Sequence, residues 1–214
     1  MILLSLLLIP LFGILLIAPS YRSYDLLSIT NFGNTDDAKK VDPDTKLKVI
    51  ALAISIIAFL YSLSLLLLFD PSTPEYQFTF NFNNKDLSIF TSDFQIGIDG
   101  ISIYFVILTT FLFPISFLAS WNITSATSLG GNKYNVKFYL CTLLLLEILL
   151  ILVFIVTDIL LFYIFFESVL IPLFLIVGIW GGSPNRVRAA FLLFLFTLIG
   201  SLFMLLSILT IYYN

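Results

Sequence analysis

Apolar residues run almost unbroken through six stretches of this chain, and polar residues gather between them. The stretches cover roughly 2–18, 48–69, 101–120, 138–156, 159–179 and 188–213. A helix of about 20 apolar residues crosses the roughly 30 Å hydrocarbon core of a bilayer. The pattern therefore predicts an all-α membrane protein, a polytopic bundle of about six transmembrane helices. The first run, Ile2 to Ala18, lacks the basic segment that opens a secretory signal, and its length suits a span. Pro10 and Gly13 lie inside it, which membrane helices tolerate better than soluble ones do.

The polar intervals fall at Tyr21 to Lys46 and at Asp70 to Gly100. In the second, "FTFNFNN" alternates well enough to predict a short hairpin lying at the membrane surface. The charge-rich loop 21–48 reads as a solvated surface element. We divide the chain into residues 1–120, three helices with two polar loops, and residues 121–214, a loop and three further helices. There is no sequence repeat and no stretch that reads as a soluble domain.

Composition agrees with the pattern. The chain is 60% hydrophobic and 11% charged, with a mean hydropathy of +1.09. A soluble domain carries about 25% charged residues. One cysteine excludes a disulfide framework, and without histidine or a CxxC pair there is no metal-ligand cluster. No glycine-rich phosphate loop or basic patch points to nucleotide or nucleic acid. Nine basic residues (Arg22, Lys39, Lys40, Lys46, Lys48, Lys133, Lys137, Arg186 and Arg188) fall in loops one, three and five, against Lys85 alone on the other side. Basic loops stay on the cytoplasmic or matrix side, so both termini are expected to face away from it. Arg186 and Arg188, at the start of the sixth helix, are placed to meet surface charge or lipid phosphate.

Chemistry is concentrated in a few carboxyls. The fourth and fifth runs meet at "IVTDIL" with almost no loop, which predicts a tight antiparallel helical hairpin. Thr157 or Asp158 can cap the fifth helix by accepting from a free backbone N–H. Glu167, in "LLFYIFFESVLIP", lies ten residues into that helix, and Glu147, in "LLLLEILLILVF", lies ten residues back along the fourth. At a rise of about 1.5 Å per residue both sit roughly 15 Å deep, near the bilayer midplane. An ionisable group there costs on the order of 3 kcal/mol on insertion scales. One reading is a neutral glutamic acid bridging two helices. The other is a proton relay, in which Glu167, Glu147 and Asp158 are the candidate groups. Glu167 has the stronger case, because Pro172 cannot bond the carbonyl of Ser168. That carbonyl and the Ser168 hydroxyl are polar atoms able to hold water against the carboxyl.

At these residues the chain resembles a known family. "FFESVLIPLFLIVGIWGG" with "RVRAAFLLFLFTLIGS", and "FQIGIDGISIYFVILTTFLFPI" upstream, are similar to chain 4 of NADH:ubiquinone oxidoreductase, respiratory complex I, an antiporter-like membrane subunit family. The resemblance is close over roughly residues 90 to 213 and mainly one of hydropathy before that. It implies part of an antiporter-like inverted-repeat fold, with residues 121–214 beginning the first repeat. It implies that Glu167 belongs to a proton channel and that Asp158 matches an acidic residue opening the fifth helix; it adds no role for Glu147. It implies that this chain binds no cofactor and has no redox site, with NADH, FMN, iron–sulfur clusters and ubiquinone handled elsewhere in the complex. The implied partners are other membrane-arm subunits, especially neighbouring antiporter-like chains, and lipid, in the mitochondrial inner membrane.

The family has about fourteen spans, with partner lysines in its seventh, eighth and twelfth helices, whereas this chain ends at "ILTIYYN" after its sixth run. It is therefore expected to be a fragment or split subunit whose channel is completed by other helices. Two other readings stay open: a subunit of a cation/proton antiporter working without redox coupling, and a truncated non-conducting assembly subunit.

Overall fold

The computed structural model describes residues 2–19, 43–73, 75–82, 94–121 and 134–213. Most of the loop 21–48, and the loop between the third and fourth runs, fall outside them. Six helices are described: α1 (Ile2–Ile17), α2 (Pro43–Leu68), α3 (Ser102–Ala119), α4 (Tyr134–Ile155), α5 (Ile159–Trp180) and α6 (Arg186–Tyr213). Between α2 and α3 lie two strands, β1 (Gln77–Phe82) and β2 (Phe94–Ile98).

Five of the helices, of 18 to 28 residues, are long and apolar enough to cross a membrane. The first predicted span is shorter. α1 has 16 residues, about 24 Å of helix at 1.5 Å per residue. It stops before Ala18-Pro19, because a residue preceding proline is pushed out of the helical region. The second helix starts earlier than its apolar run, at Pro43, whose fixed φ suits a first turn. Lys46 and Lys48 are therefore helical residues rather than loop residues. Lys48 is buried and donates to the Trp121 carbonyl at 3.0 Å, with its ammonium over the Trp121 ring.

β1 contains most of "FTFNFNN" and pairs antiparallel with β2, the next strand along the chain, in the register Gln77 to Ile98 and Phe80 to Ile96. The register slips between Gln77 and Phe80, where Phe78 adopts a φ of 55°. A bulge of this kind bends the strand and ends regular pairing. β2 also bridges to the α4–α5 turn, through Ile96 and Val156.

Helix α4 is the axis of the bundle. It packs against α1, α2 and α3, while α5 lies on α4 and α6 on α5. In α1 the buried residues Leu3, Leu6, Pro10, Gly13 and Ile17 recur every three or four positions, forming one stripe. Two apolar clusters result. One joins Ile17, Leu47, Ala51, Ile54, Phe113, Phe117, Leu140 and Leu144 at the end away from the strands. The other joins Leu3, Leu6, Leu65, Ile103, Val106, Ile151 and Ile155 around Ile96 and Ile98, so β2 closes that end of the bundle. Gly13 is needed where α1 meets its neighbours: a Cβ there would lie 2.9 Å from Ile54 Cδ1 and 3.1 Å from Leu144 Cδ1.

Candidate functional site

The α4–α5 turn is three residues long, Val156 to Asp158, as the sequence predicts. Of the two capping candidates Asp158 caps α5: its backbone is extended, and Oδ1 accepts from Leu160 N at 3.2 Å. Its Oδ2 is buried without a hydrogen-bond partner. Thr157 serves another purpose. Its N–H and hydroxyl both donate to the Gln95 carbonyl, at 3.3 and 3.1 Å, and tie the turn to β2.

Glu167 lies near the middle of α5, half-buried, with Oε2 buried and unpartnered. Pro172 is inside the same helix, so the Ser168 carbonyl lacks its helical donor. The Ser168 hydroxyl donates to Ile164 O at 2.7 Å. Its proton is thus committed to the backbone, and only its lone pairs remain to receive a bond. Beyond Pro172 the helix runs on to Trp180, a buried ring packed against Phe138 and Tyr139 of α4. Gly181 then turns the chain: a Cβ there would lie 2.5 Å from the Val177 carbonyl and 2.8 Å from Arg186 Cβ. Arg186 donates from Nη1 to the Gly181 carbonyl at 3.2 Å and opens α6.

Glu147 occupies a different environment. It is fully buried, and neither carboxyl oxygen has a hydrogen-bond partner. Viewed down α4 at about 100° per residue, Leu140, Leu143, Leu144 and Ile151 all fall within about 60° of it. Those four are buried in the clusters shared with α1, α2 and α3. Phe138, which meets Trp180 of α5, falls on the opposite side. Leu144 lies towards Gly13 of α1, and Phe154 stacks on Phe105 of α3 at 5.2 Å. Glu147 therefore points between α1 and α3, and α5 approaches α4 on another face. The two glutamates share a depth on paired helices, as their spacing predicts, yet occupy separate surroundings.

The chain's similarity to known proteins bears on what these carboxyls do. Residues 45–153 match the family described as NADH-ubiquinone oxidoreductase chain 4, amino terminus. The chain belongs to that chain 4 family. Residues 156–214 match a second family, described as NADH:quinone oxidoreductase/Mrp antiporter, TM. The change from one family to the other falls at the α4–α5 turn. NADH-ubiquinone oxidoreductase chain 4 of Mycosarcoma maydis is 52% identical over 209 residues, covering 98% of this chain and 37% of that protein. Its counterpart in Arabidopsis thaliana is 48% identical over 168 residues, 78% of this chain and 32% of that one. Among solved structures, "Respiratory complex I from Thermus thermophilus with bound NADH" contains a similar chain. The TM-score is 0.66 at 26% identity, over 98% of this chain and 35% of that chain. The chain thus spans about a third of the length of the curated chain 4 relatives it matches.

For a chain 4 protein the fold class and helix order agree with the sequence reading. Several buried polar residues were not legible there: Ser62 bonded to Thr110 at 2.7 Å between α2 and α3, the buried Lys48, and Trp180, whose Nε1 is buried without a partner. Among the described residues, no group of three or more His, Cys, Asp or Glu is placed to hold a metal.

Proposed function

We propose that this chain contributes to the membrane arm of a proton-translocating NADH:ubiquinone oxidoreductase and that Glu167 is its proton-carrying side chain. The observation that carries this reading is the Glu167 carboxyl, mid-helix in α5, with Oε2 buried and unpartnered, in the helix where Pro172 leaves the Ser168 carbonyl without its donor. A carboxyl so placed can pass a proton to water held by that carbonyl without unwinding the helix. Asp158, with Oδ2 unpartnered at the start of the same helix, is a second candidate on the route, about two and a half turns away. Lysine partners would come from helices beyond α6.

In this reading NADH, FMN, iron–sulfur clusters and ubiquinone are bound by other subunits, and this chain has no redox site. Its neighbours are other antiporter-like membrane subunits and lipid. The membrane is the mitochondrial inner membrane, with both termini on the intermembrane-space side. Residues 121–214 begin an antiporter-like repeat, and residues 1–120 form the part before it.

The test is Glu167→Gln in the assembled complex. NADH oxidation should continue in uncoupled membranes while protons pumped per NADH fall. An unchanged ratio in a fully assembled complex would remove Glu167 from the path. A second reading, a cation/proton antiporter without redox coupling, draws on the antiporter in the description of the family matching residues 156–214. It predicts a cation-driven pH gradient in vesicles lacking NADH. No such gradient is expected if the redox-coupled reading holds.

A further inference from the structure

Each of the three prolines inside helices removes the hydrogen bond to the carbonyl four residues earlier. Pro172 frees Ser168, beside Glu167. The other two lie in helices packed on α4, which carries Glu147: Pro10 in α1 frees the Leu6 carbonyl, and Pro114 in α3 frees that of Thr110.

The level of these groups follows from the packing. Gly13, Ile54 and Leu144 meet in one layer. One turn towards the strands, Pro10, Ala58 and Glu147 share the next layer, because α1 runs antiparallel to α4 and α2 runs parallel to it. The Phe105–Phe154 stack and the Ser62–Thr110 bond place Thr110 within about a turn of it. Helix carbonyls point towards the C-terminus of their helix. Since α1 and α3 both run opposite to α4, the freed carbonyls of Leu6 and Thr110 are aimed from the strand end towards the Glu147 layer.

Two hydroxyls of α2 lie about one turn to either side of Ala58. Ser55 and Ser62 are fully buried, and their hydroxyls donate to Leu52 O and Phe59 O of their own helix, at 2.9 and 2.7 Å. Their oxygens keep lone pairs but offer no proton to Glu147. Its carboxyl therefore sits among acceptors, with both oxygens lacking a protein partner. Leaving a buried polar group unpaired is costly. Enclosed water relieves this, since one molecule donates twice and accepts, and needs two to four polar partners.

We propose that Glu147, the freed carbonyls of Leu6 and Thr110 and the oxygen of Ser55 form an enclosed water-binding site within α1–α4. The site lies on a different face of α4 from α5, and it stands or falls independently of any role for Glu167. Water there makes the Glu147 carboxyl part of a hydrated layer rather than a direct strut between helices.

The test is a density map of the intact membrane complex at a resolution that shows ordered water. Water is expected within hydrogen-bonding distance of Glu147 and of the Leu6 or Thr110 carbonyl. It should persist in Glu147→Gln, whose amide keeps an acceptor and gains a donor, and be lost or displaced in Glu147→Met. Should Glu147→Met fail to assemble, radiolytic hydroxyl-radical labelling of the wild-type complex gives a second readout. Enclosed water should yield modification at buried Pro10, Phe113 or Leu144, at least severalfold above the equally buried Leu65. A Glu147 carboxyl bonded directly to protein with no water density, or labelling no greater than at Leu65, overturns the proposal. Density that depends on sodium, with contacts too short for water, overturns it as well.

Discussion

Replacing Gly13 with alanine tests the contact on which α1, α2 and α4 converge. The added methyl would stand 2.9 Å from Ile54 Cδ1, 3.1 Å from Ile54 Cγ2 and 3.1 Å from Leu144 Cδ1. Ordinary carbon–carbon contact begins about half an ångström farther out, at 3.4 Å. The helices must separate or Ile54 must leave its rotamer, and overpacking of this kind costs about 1–3 kcal/mol. Alanine's better helix propensity returns up to about 1 kcal/mol of that. The net effect of Gly13→Ala is therefore a loss of roughly 1 kcal/mol. Ile54→Val alone should cost about 0.5–1.5 kcal/mol through the lost methyl. Together the two changes should be less harmful than their sum by about 1 kcal/mol, because valine removes the Cδ1 atom that the new methyl meets. The assay is a double-mutant cycle on thermal inactivation of the assembled complex in mild detergent, with the retained fraction read by native electrophoresis. Strict additivity would show that α1 does not pack on Ile54 through Gly13, and the bundle order described above would be wrong at that point.

Other outcomes follow from single contacts. Asp158→Ala removes the α5 cap and should destabilise the hairpin by about 1 kcal/mol, whereas Asp158→Asn should keep most of that stability. A drop in pumping in Asp158→Asn with unchanged stability would add a role in proton transfer. Ser62→Ala breaks one interhelical hydrogen bond and should cost about 0.6 kcal/mol, with little further loss when Thr110→Val is added, since the other bonds of both hydroxyls are to carbonyls of their own helices; fully additive losses would show that the two hydroxyls are not coupled across the helices. Gly181→Ala should disturb the α5–α6 turn, since its Cβ meets backbone that cannot move aside; normal assembly and wild-type thermal stability would contradict the turn geometry. Outside the membrane, Asp70 accepts from the Ser72 hydroxyl and N–H at 2.7 and 3.0 Å, which lowers its pKa below the usual carboxylate value. The turn's small contribution is thus complete above that usual value and lost as pH falls through the lowered one. The protection of the Ser72 amide, taken against its intrinsic exchange rate at each pH, should fall on acidification in wild type and show no such pH step in Asp70→Asn.

Much of this protein was determined by local sequence. Long apolar runs leave the chain no stable arrangement but membrane helices, because a backbone polar group in hydrocarbon must be satisfied within its own segment. Ala18-Pro19, Asp158 and Gly181 end or begin helices for reasons that act within one turn, so those boundaries could be read nearly to the residue. The equal distance of Glu147 and Glu167 from the α4–α5 turn also needed only a count along the chain. Direction around the helix axis could not be read in this way. An almost wholly apolar helix carries no polar stripe to mark which face is inside, so the sequence left open whether the two glutamates face each other. Packing settles that: α1 and α3 close over Glu147, while α5 takes another face of α4. The burial of Lys48 was likewise decided by a group distant in sequence, Trp121 just beyond α3. Hydropathy records how much of each segment must leave water, but only neighbouring helices determine which side of it meets protein.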